Sequence, residues 1–206
     1  MSSCAATVFV VDDDLSIRRS LTHLFGAAGL NVAVFASAQE FLERYNASAP
    51  GCLVLDLAMP GLNGLELQEM LAARGSRLPI IFLTGHGDLP SGLKALKSGA
   101  ADFLTKPVDA TDLIEAVRGA IEKDRSARQV DAEVAEIRRR FATLTPREHE
   151  VLCHVISGKL NKQIAAHLGT VEKTVKVHRA RVMDKVKAGS LAELIRLAER
   201  AGIQPS

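Results

Sequence analysis

Cys52-Leu-Val-Leu-Asp-Leu-Ala-Met-Pro-Gly-Leu-Asn-Gly64 decides the fold. Four apolar residues end on a single carboxylate, Asp56, and Pro60, Gly61 and Gly64 mark tight turns in the loop behind it. A short apolar run bounded by turn residues reads as a buried parallel strand. In open α/β sheets ligands bind in the crevice beyond the carboxyl ends of the strands. Asp56 stands at such an end, and its expected role is that of a phosphate acceptor.

Upstream, Thr7-Val-Phe-Val-Val11 is a second apolar strand, and it runs into Asp12-Asp-Asp14. Acids suit the positive end of a helix dipole, which accounts for Asp14 as a helix start. It does not account for Asp12 and Asp13, placed where a buried strand stops. Together with Asp56 they predict a carboxylate cluster, which a hard cation would neutralise. Mg²⁺ takes one or two carboxylates plus waters and phosphate oxygens.

Between and beyond these strands the pattern alternates. Ile17, Leu21, Leu24, Phe25 and Ala28 have helical spacing and close at Gly29. Asn31–Phe35 reads as a strand, and Ser37 as the N-cap of a helix carrying Phe41 and Leu42. After Asp56 a helix from Leu65 to Ala73 should turn Leu67, Met70 and Leu71 inward. Pro79–Leu83 is a strand ending on Thr84-Gly-His-Gly87. The Thr84 hydroxyl is either a turn cap or a partner for a phosphoryl oxygen on Asp56. A helix with Leu89, Leu93 and Leu96 ends at Gly99. Asp102–Thr105 is the last strand, and it runs into Lys106-Pro107. Proline holds its predecessor extended, which would fix Lys106 at the same sheet edge, aimed at the carboxylates. Five strand–helix alternations give a doubly wound, flavodoxin-like (βα)5 α/β domain.

The order and spacing of these residues resemble the receiver domain of bacterial two-component response regulators. The resemblance rests on Asp12-Asp13, Asp56 with its Met-Pro-Gly-x-x-Gly loop, Thr84-Gly and Lys106-Pro. It implies that Asp56 is phosphorylated by a sensor histidine kinase. It implies that Asp12, Asp13, Asp56 and the backbone carbonyl of Ala58 hold Mg²⁺, and that Thr84 and Lys106 contact the phosphoryl group. It also implies that Phe103 rotates inward in the active state. Position 58 often carries a polar or bulky side chain that tunes dephosphorylation, and Ala58 cannot act that way. A phosphoryl group adds roughly −1.5 to −2 charge and strong acceptor oxygens. Its pull on Thr84 and Lys106 would reshape the face formed by the fourth helix, the fifth strand and the start of the fifth helix.

Next comes the connector. Ala127, Val130, Val134, Ile137 and Phe141 recur at spacings of 3, 4, 3 and 4, an a/d seam among charges. Between Pro107 and Pro146 there is no proline. A helix of about 30 residues, roughly 45 Å long, is expected, the alternative being a flexible charged linker. The seam would pair with a second chain or pack on its own domains. Arg138-Arg-Arg140 is either a solvated face or a phosphate-contacting cluster.

Leu144-Thr-Pro-Arg-Glu148 carries an N-cap, a proline at the first helical position and a capping-box acid. The helix that follows bears Val151, Leu152, Val155 and Ile156 and stops at Gly158. Asn161 opens a second helix with Ile164, Ala165 and Leu168, and Gly169 supplies a turn. A third runs from about Glu172 through Val182 and Val186. A fourth, capped by Ser190, carries Leu191, Leu194, Ile195 and Ala198. Two short helices around a glycine turn, the second basic with Lys173, Lys176, Arg179 and Arg181, form a helix-turn-helix pattern. The segments Leu144–Glu148, Asn161-Lys-Gln-Ile-Ala165 and Thr174-Val-Lys-Val-His178 resemble the LuxR-type DNA-binding domain of the NarL/FixJ response regulators. The resemblance places Lys176, Val177 and Ala180 at base edges of double-stranded promoter DNA. It makes Lys162, Lys173, Thr174, His178 and Arg179 candidates for the phosphates. Ala180 offers only a methyl group where a polar reader is common. Val171 stands where a Thr or Ser usually caps, leaving Thr170 or water to serve. The combined layout is most similar to the StyR/TodT-type regulators. Dimerisation on phosphorylation and contact with RNA polymerase follow as implications.

The expected domains are therefore a receiver at 1–122, a helical linker at 123–142 and an all-α helix-turn-helix domain at 143–206. Charge agrees with the division. Residues 1–110 hold 8 Lys/Arg and 11 Asp/Glu, and residues 143–206 hold 11 and 6. An acidic half followed by a basic half suggests two jobs, the second on nucleic acid. No apolar run approaches a membrane span, and the start lacks a basic leader region, so a cytoplasmic protein is expected. The three cysteines have no C-x-x-C spacing and read as reduced thiols, with Cys52 buried. The six histidines lack zinc-site spacing. Two other readings compete with the phosphorylation-controlled transcription factor. One is a constitutive DNA binder with a vestigial receiver. The other is an Asp-nucleophile Mg²⁺ phosphatase, which would want a second Asp where Ala58 stands.

Overall fold

The computed structural model describes residues 5–85 and 95–204. Cys4, His86, Gly87, and the expected helix at Leu89 and Leu93 lie outside the described residues. The chain forms two compact units, residues 1–128 and 129–206.

In the first unit the apolar runs pair as a five-stranded parallel sheet in the order β2-β1-β3-β4-β5. The strands are β1 Thr7–Val11, β2 Asn31–Phe35, β3 Gly51–Asp56, β4 Ile80–Thr84 and β5 Asp102–Thr105. Side chains of successive strand residues point to opposite faces. Phe9, Leu53, Leu55, Ile80 and Phe82 therefore join one buried cluster, while Val8, Val10, Cys52, Val54, Ile81 and Leu83 join another. A sheet buried on both faces explains why its strands are apolar throughout. On the first face Phe9, Phe35, Phe41 and Tyr45 pack ring against ring, with centroids 4.7 to 6.5 Å apart. Burial pushes the Cys52 thiol up to about 12, with the Asp124 carboxylate acting in the same direction, so it stays a thiol.

The helices of this unit start where their caps lie. Asp14 accepts from the Ser16 and Ile17 amides at the head of α1 (Leu15–Ala27). Ser37 accepts from Glu40 N at the head of α2 (Ala38–Arg44). Asn63 and Glu66 form a capping box on α3 (Gly64–Ala73). Met70 does not turn inward: it is 37 % exposed, and Gln68 is buried in its place beside Leu67 and Leu71. The Gln68 amide donates to the Ala95 and Ser98 carbonyls, and those bonds make its burial tolerable.

A single helix, α4, runs from Ala110 to Phe141. Its early turns bury Leu113, Val117 and Ala120 against the second face of the sheet. Further on, Asp124 is buried and accepts from Gly51 N, at the head of β3. Arg128 pairs with Asp124 and donates to the Ala47, Ser48 and Ala49 carbonyls. The seam is only half covered, with Val130 54 % exposed while Ile137 and Phe141 belong to the core of the second unit.

The second unit adds α5 (Pro146–Ile156), α6 (Asn161–His167), α7 (Glu172–Val186) and α8 (Leu191–Ala201). Thr145 and Glu148 form the capping box of α5, and Ser190 caps α8. Leu160 and Val171, which head α6 and α7, make no side-chain cap bond. Val151, Leu152, Ile164, Val175, Val182, Val186 and Leu194 fill the core. Leu191 is 42 % exposed. It occupies the first turn of α8, and Leu194 and Ala198 cover the core instead.

Candidate functional site

Going from β2 through β1 to β3, the chain order reverses. That switch point opens a crevice at the carboxyl ends of the strands. Asp12 follows β1, Asp56 ends β3, Thr84 ends β4, and Lys106 follows β5. Four segments far apart in sequence thus deliver polar side chains to one edge.

The Lys106 ammonium joins two of them. Its Nζ lies 2.8 Å from Asp12 Oδ2 and 2.7 Å from Asp56 Oδ1. Asp12 is 2 % exposed and Asp56 7 %, so neither carboxylate has bulk water to solvate it. Their second oxygens are held by backbone amides. Asp14 N donates to Asp12 Oδ1 at 2.9 Å, and Ala58 N to Asp56 Oδ2 at 3.0 Å. Burial raises the pKa of Asp56 against the pull of Lys106. Burial works against the charge on Lys106, but bonds to Asp12 and Asp56 outweigh it and hold the ammonium above its ordinary range.

Three carboxylates are expected at this edge. Lys106 touches two, and Asp13 is exposed. Among the described residues no group of three His, Cys, Asp or Glu side chains is arranged as a metal-ligand set. Asp12 and Asp56 remain a compact, all-oxygen, doubly negative donor pair that holds a cationic group. That is the chemistry a hard divalent ion uses.

The loop after Asp56 depends on Gly64. A Cβ there would lie 2.5 Å from the Asp56 carbonyl oxygen and 3.0 Å from the Phe82 ring. Thr84 is buried at 3 % exposure, one position beyond the Asp56–Leu83 register pair. Its carbonyl accepts from Lys106 N at 2.6 Å, so the strand that places Thr84 also places Lys106. Phe103 is half-buried, opposite Phe82 in the β4–β5 register, and packs against the first-face cluster. Ala58 is exposed beside Asp56.

In the second unit Lys173, Lys176, Val177 and Ala180 are all exposed. They follow i, i+3, i+4, i+7 spacing and share one face of α7, opposite Val175, Val182 and Val186. Lys162 is exposed on α6, and Thr174 is half-buried. His178 is half-buried, and its Nδ1 has no hydrogen-bond partner among the described residues. Arg179 is not on the open face: its Nη1 donates to Asn161 Oδ1 at 2.8 Å. In the Arg138–Arg140 run, Arg138 and Arg139 are exposed and Arg140 is half-buried. Arg139 and Arg140 both pair with Glu136, and Arg138 donates to the Ala201 carbonyl.

Sequence reasoning did not find the Asp124–Arg128 tether, the buried Gln68 or the Arg179–Asn161 bond. Asp124 and Arg128 are an i, i+4 pair and could have been flagged as such. Their targets are backbone groups of residues 47–51, which carry no side-chain signature.

Comparison with known proteins agrees with both halves. The model of the response regulator receiver domain matches residues 8–118. That of the luxR family of bacterial regulatory proteins matches residues 142–198. Nodulation protein W of Bradyrhizobium diazoefficiens is 50% identical over 202 residues, 98% of this chain and 89% of its own length. The response regulator protein TodT of Pseudomonas putida is 42% identical over 200 residues, 97% of this chain and 88% of its own. The solved structure of the response regulator StyR is similar, with TM-score 0.88 and 44% identity over 95% of this chain and 99% of that one. No helix among the described residues is long and apolar enough to cross a membrane. The chain therefore belongs to the response regulators, with a receiver domain followed by a LuxR-type helix-turn-helix DNA-binding domain, the build of a two-component transcription regulator.

Proposed function

We propose that Asp56 accepts a phosphoryl group from a sensor histidine kinase and that this governs promoter binding by the second domain. The observation that carries the proposal is the Lys106 ammonium bridging the buried Asp12 and Asp56 carboxylates. Phosphoryl transfer needs positioning and charge neutralisation more than covalent help from the protein. An Asp56 oxygen attacks phosphorus, the new O–P bond forms as the donor's N–P bond breaks, and the donor imidazole leaves. The Ala58 amide fixes the carboxylate, and Lys106 moves from a carboxylate oxygen to a phosphoryl oxygen. The Thr84 hydroxyl, one residue beyond, meets another.

Asp12, Asp13, Asp56 and the Ala58 carbonyl would hold Mg²⁺, which when bound neutralises charge on the phosphoryl oxygens. With Lys106 and Thr84 drawn to the phosphate, space opens behind Thr84 and the half-buried Phe103 turns into it. The residues proposed to hold DNA are Lys176, Val177 and Ala180 at base edges. Lys162, Lys173, Thr174 and His178 are placed on phosphates. Domain limits of 1–122, 123–142 and 143–206, dimerisation on phosphorylation, contact with RNA polymerase and a cytoplasmic location complete the reading.

Incubation with phosphoramidate and Mg²⁺, followed by intact-mass spectrometry, tests the acceptor. One phosphoryl group should appear on the wild type and none on Asp56→Asn. An unmodified wild type would favour a vestigial receiver.

A further inference from the structure

We infer that Arg179 and Asn161 act as a pair that positions the recognition helix α7, and that Arg179 is not itself a phosphate contact. The inference rests on DNA binding by this domain, as proposed above.

Arg179 does not face the way the other basic residues of α7 do. At about 100° per residue, Arg179 lies roughly 40° from the mean direction of the buried Val175, Val182 and Val186. It lies roughly 110° from the mean direction of Lys173, Lys176, Val177 and Ala180. It is half-buried, whereas those four are exposed. Its side chain lines a small hollow with Val151, Leu152 and Val155 of α5 and Val182 of α7. An arginine can lay its aliphatic stem on apolar surface and carry the guanidinium to a polar edge. Here that edge is Asn161 Oδ1, at 2.8 Å, in the first turn of α6.

Few other side-chain bonds hold α7. At its far end Lys185 is anchored to Glu148 in the first turn of α5 and to the carbonyl of Thr143, just before that helix. Val171 at the head of α7 supplies no side-chain cap. The backbone turn at Gly169 joins α6 to α7, and the Arg179–Asn161 bond is a side-chain link between the same two helices. Base-edge contacts require the helix to sit in the groove with a fixed axis. A link between α6 and α7 sets that axis directly.

Removing Asn161 separates the two roles, because it removes no positive charge. A phosphate-binding Arg179 released from Asn161 would bind DNA as well as before or better. A positioning pair would lose affinity from either side.

The experiment uses full-length protein and a labelled duplex selected by the wild type from a random pool, with a scrambled duplex as control. Circular dichroism confirms that every variant is folded at the assay temperature. Arg179→Ala and Asn161→Ala should each weaken the selected duplex about 10-fold, and the double variant should be no weaker than about 2-fold beyond either, as expected for coupled sites. The slope of log K against log salt should stay unchanged for both. Lys173→Ala, the reference phosphate contact, should flatten it by about 0.9. The ratio of selected to scrambled affinity should fall for both members of the pair, which a simple loss of folded protein would not cause. Unchanged or tighter binding by Asn161→Ala, additive losses, or a flattened slope for Arg179→Ala would overturn the inference. A wild type that selects no duplex would instead overturn the DNA-binding reading on which it rests.

Discussion

Glu148 gives a prediction whose size follows from the geometry. It is 2 % exposed, accepts from Lys185 Nζ at 2.6 Å and from Thr145 N at 2.9 Å, and ties the start of α5 to the end of α7. The Lys185 hydrogen bond and then the Thr145 amide lower its carboxyl from 4.5 to about 2. A shift of that size corresponds to about 3 kcal/mol at 1.36 kcal/mol per pH unit. Lys185 is 33 % exposed, so water screens part of the attraction. A contribution of about 2 kcal/mol is the better figure. Because the folded-state pKa is depressed, this contribution is complete above pH 4.5 and disappears as pH falls toward 2. Glu148→Gln keeps the shape and a cap acceptor but loses the charge, and should cost about 2 kcal/mol at pH 7. Glu148→Ala also leaves the Thr145 amide unpaired and should cost about 3 kcal/mol. Hydrogen exchange of α5 and α7 amides in the full chain reads the opening free energy of this unit, undisturbed by unfolding of the receiver. Equal opening energies at pH 7, or a deficit in Glu148→Gln that persists undiminished near pH 3, would refute the reasoning.

Three further outcomes are expected. Lys106→Met leaves two buried carboxylates facing one another and should lower receiver stability by about 1–3 kcal/mol in thermal unfolding. Adding Asp56→Asn should recover most of that loss, and no recovery would show that the destabilisation is not electrostatic. Gly64→Ala drives a Cβ to 2.5 Å from the Asp56 carbonyl and 3.0 Å from the Phe82 ring, so the acceptor loop must shift. It should cost about 2 kcal/mol and slow phosphoryl uptake; wild-type stability would mean the loop has room to spare. Lys162→Ala should weaken binding evenly on all duplexes and flatten the salt dependence. Lys176→Ala should relax discrimination at one base position, and uniform weakening would argue against a base-edge role.

How much of this could be read from residues alone differs by element. The sheet was legible because strands buried on both faces cannot hide their composition: Val8–Val11, Cys52–Leu55 and Ile80–Leu83 are apolar without interruption. Helix starts were legible where a cap is a side chain, as at Asp14, Ser37, Thr145 and Ser190. The meeting of Asp12, Asp56 and Lys106 could be anticipated because each stands at the carboxyl end of a strand in one sheet. Facing was less legible in short helices. Met70 and Gln68 differ by about 200° around the axis, and hydropathy favoured the wrong one, since the Ala95 and Ser98 carbonyls that make Gln68 welcome inside are invisible in sequence. The bond of Arg179 was hidden for a related reason: its partner, Asn161, lies 18 residues away and no sequence pattern links the two.

Phosphorylation of Asp56 is proposed to govern DNA binding. Its most direct test is the affinity of the full-length protein for a selected duplex, with and without Mg²⁺ and beryllofluoride, a phosphoryl mimic, beside Asp56→Asn and with solution mass followed in parallel. The wild type should become dimeric and bind more tightly with the mimic, while Asp56→Asn should do neither. Equal affinity with and without the mimic bound at Asp56, or an equal response from Asp56→Asn, would contradict it.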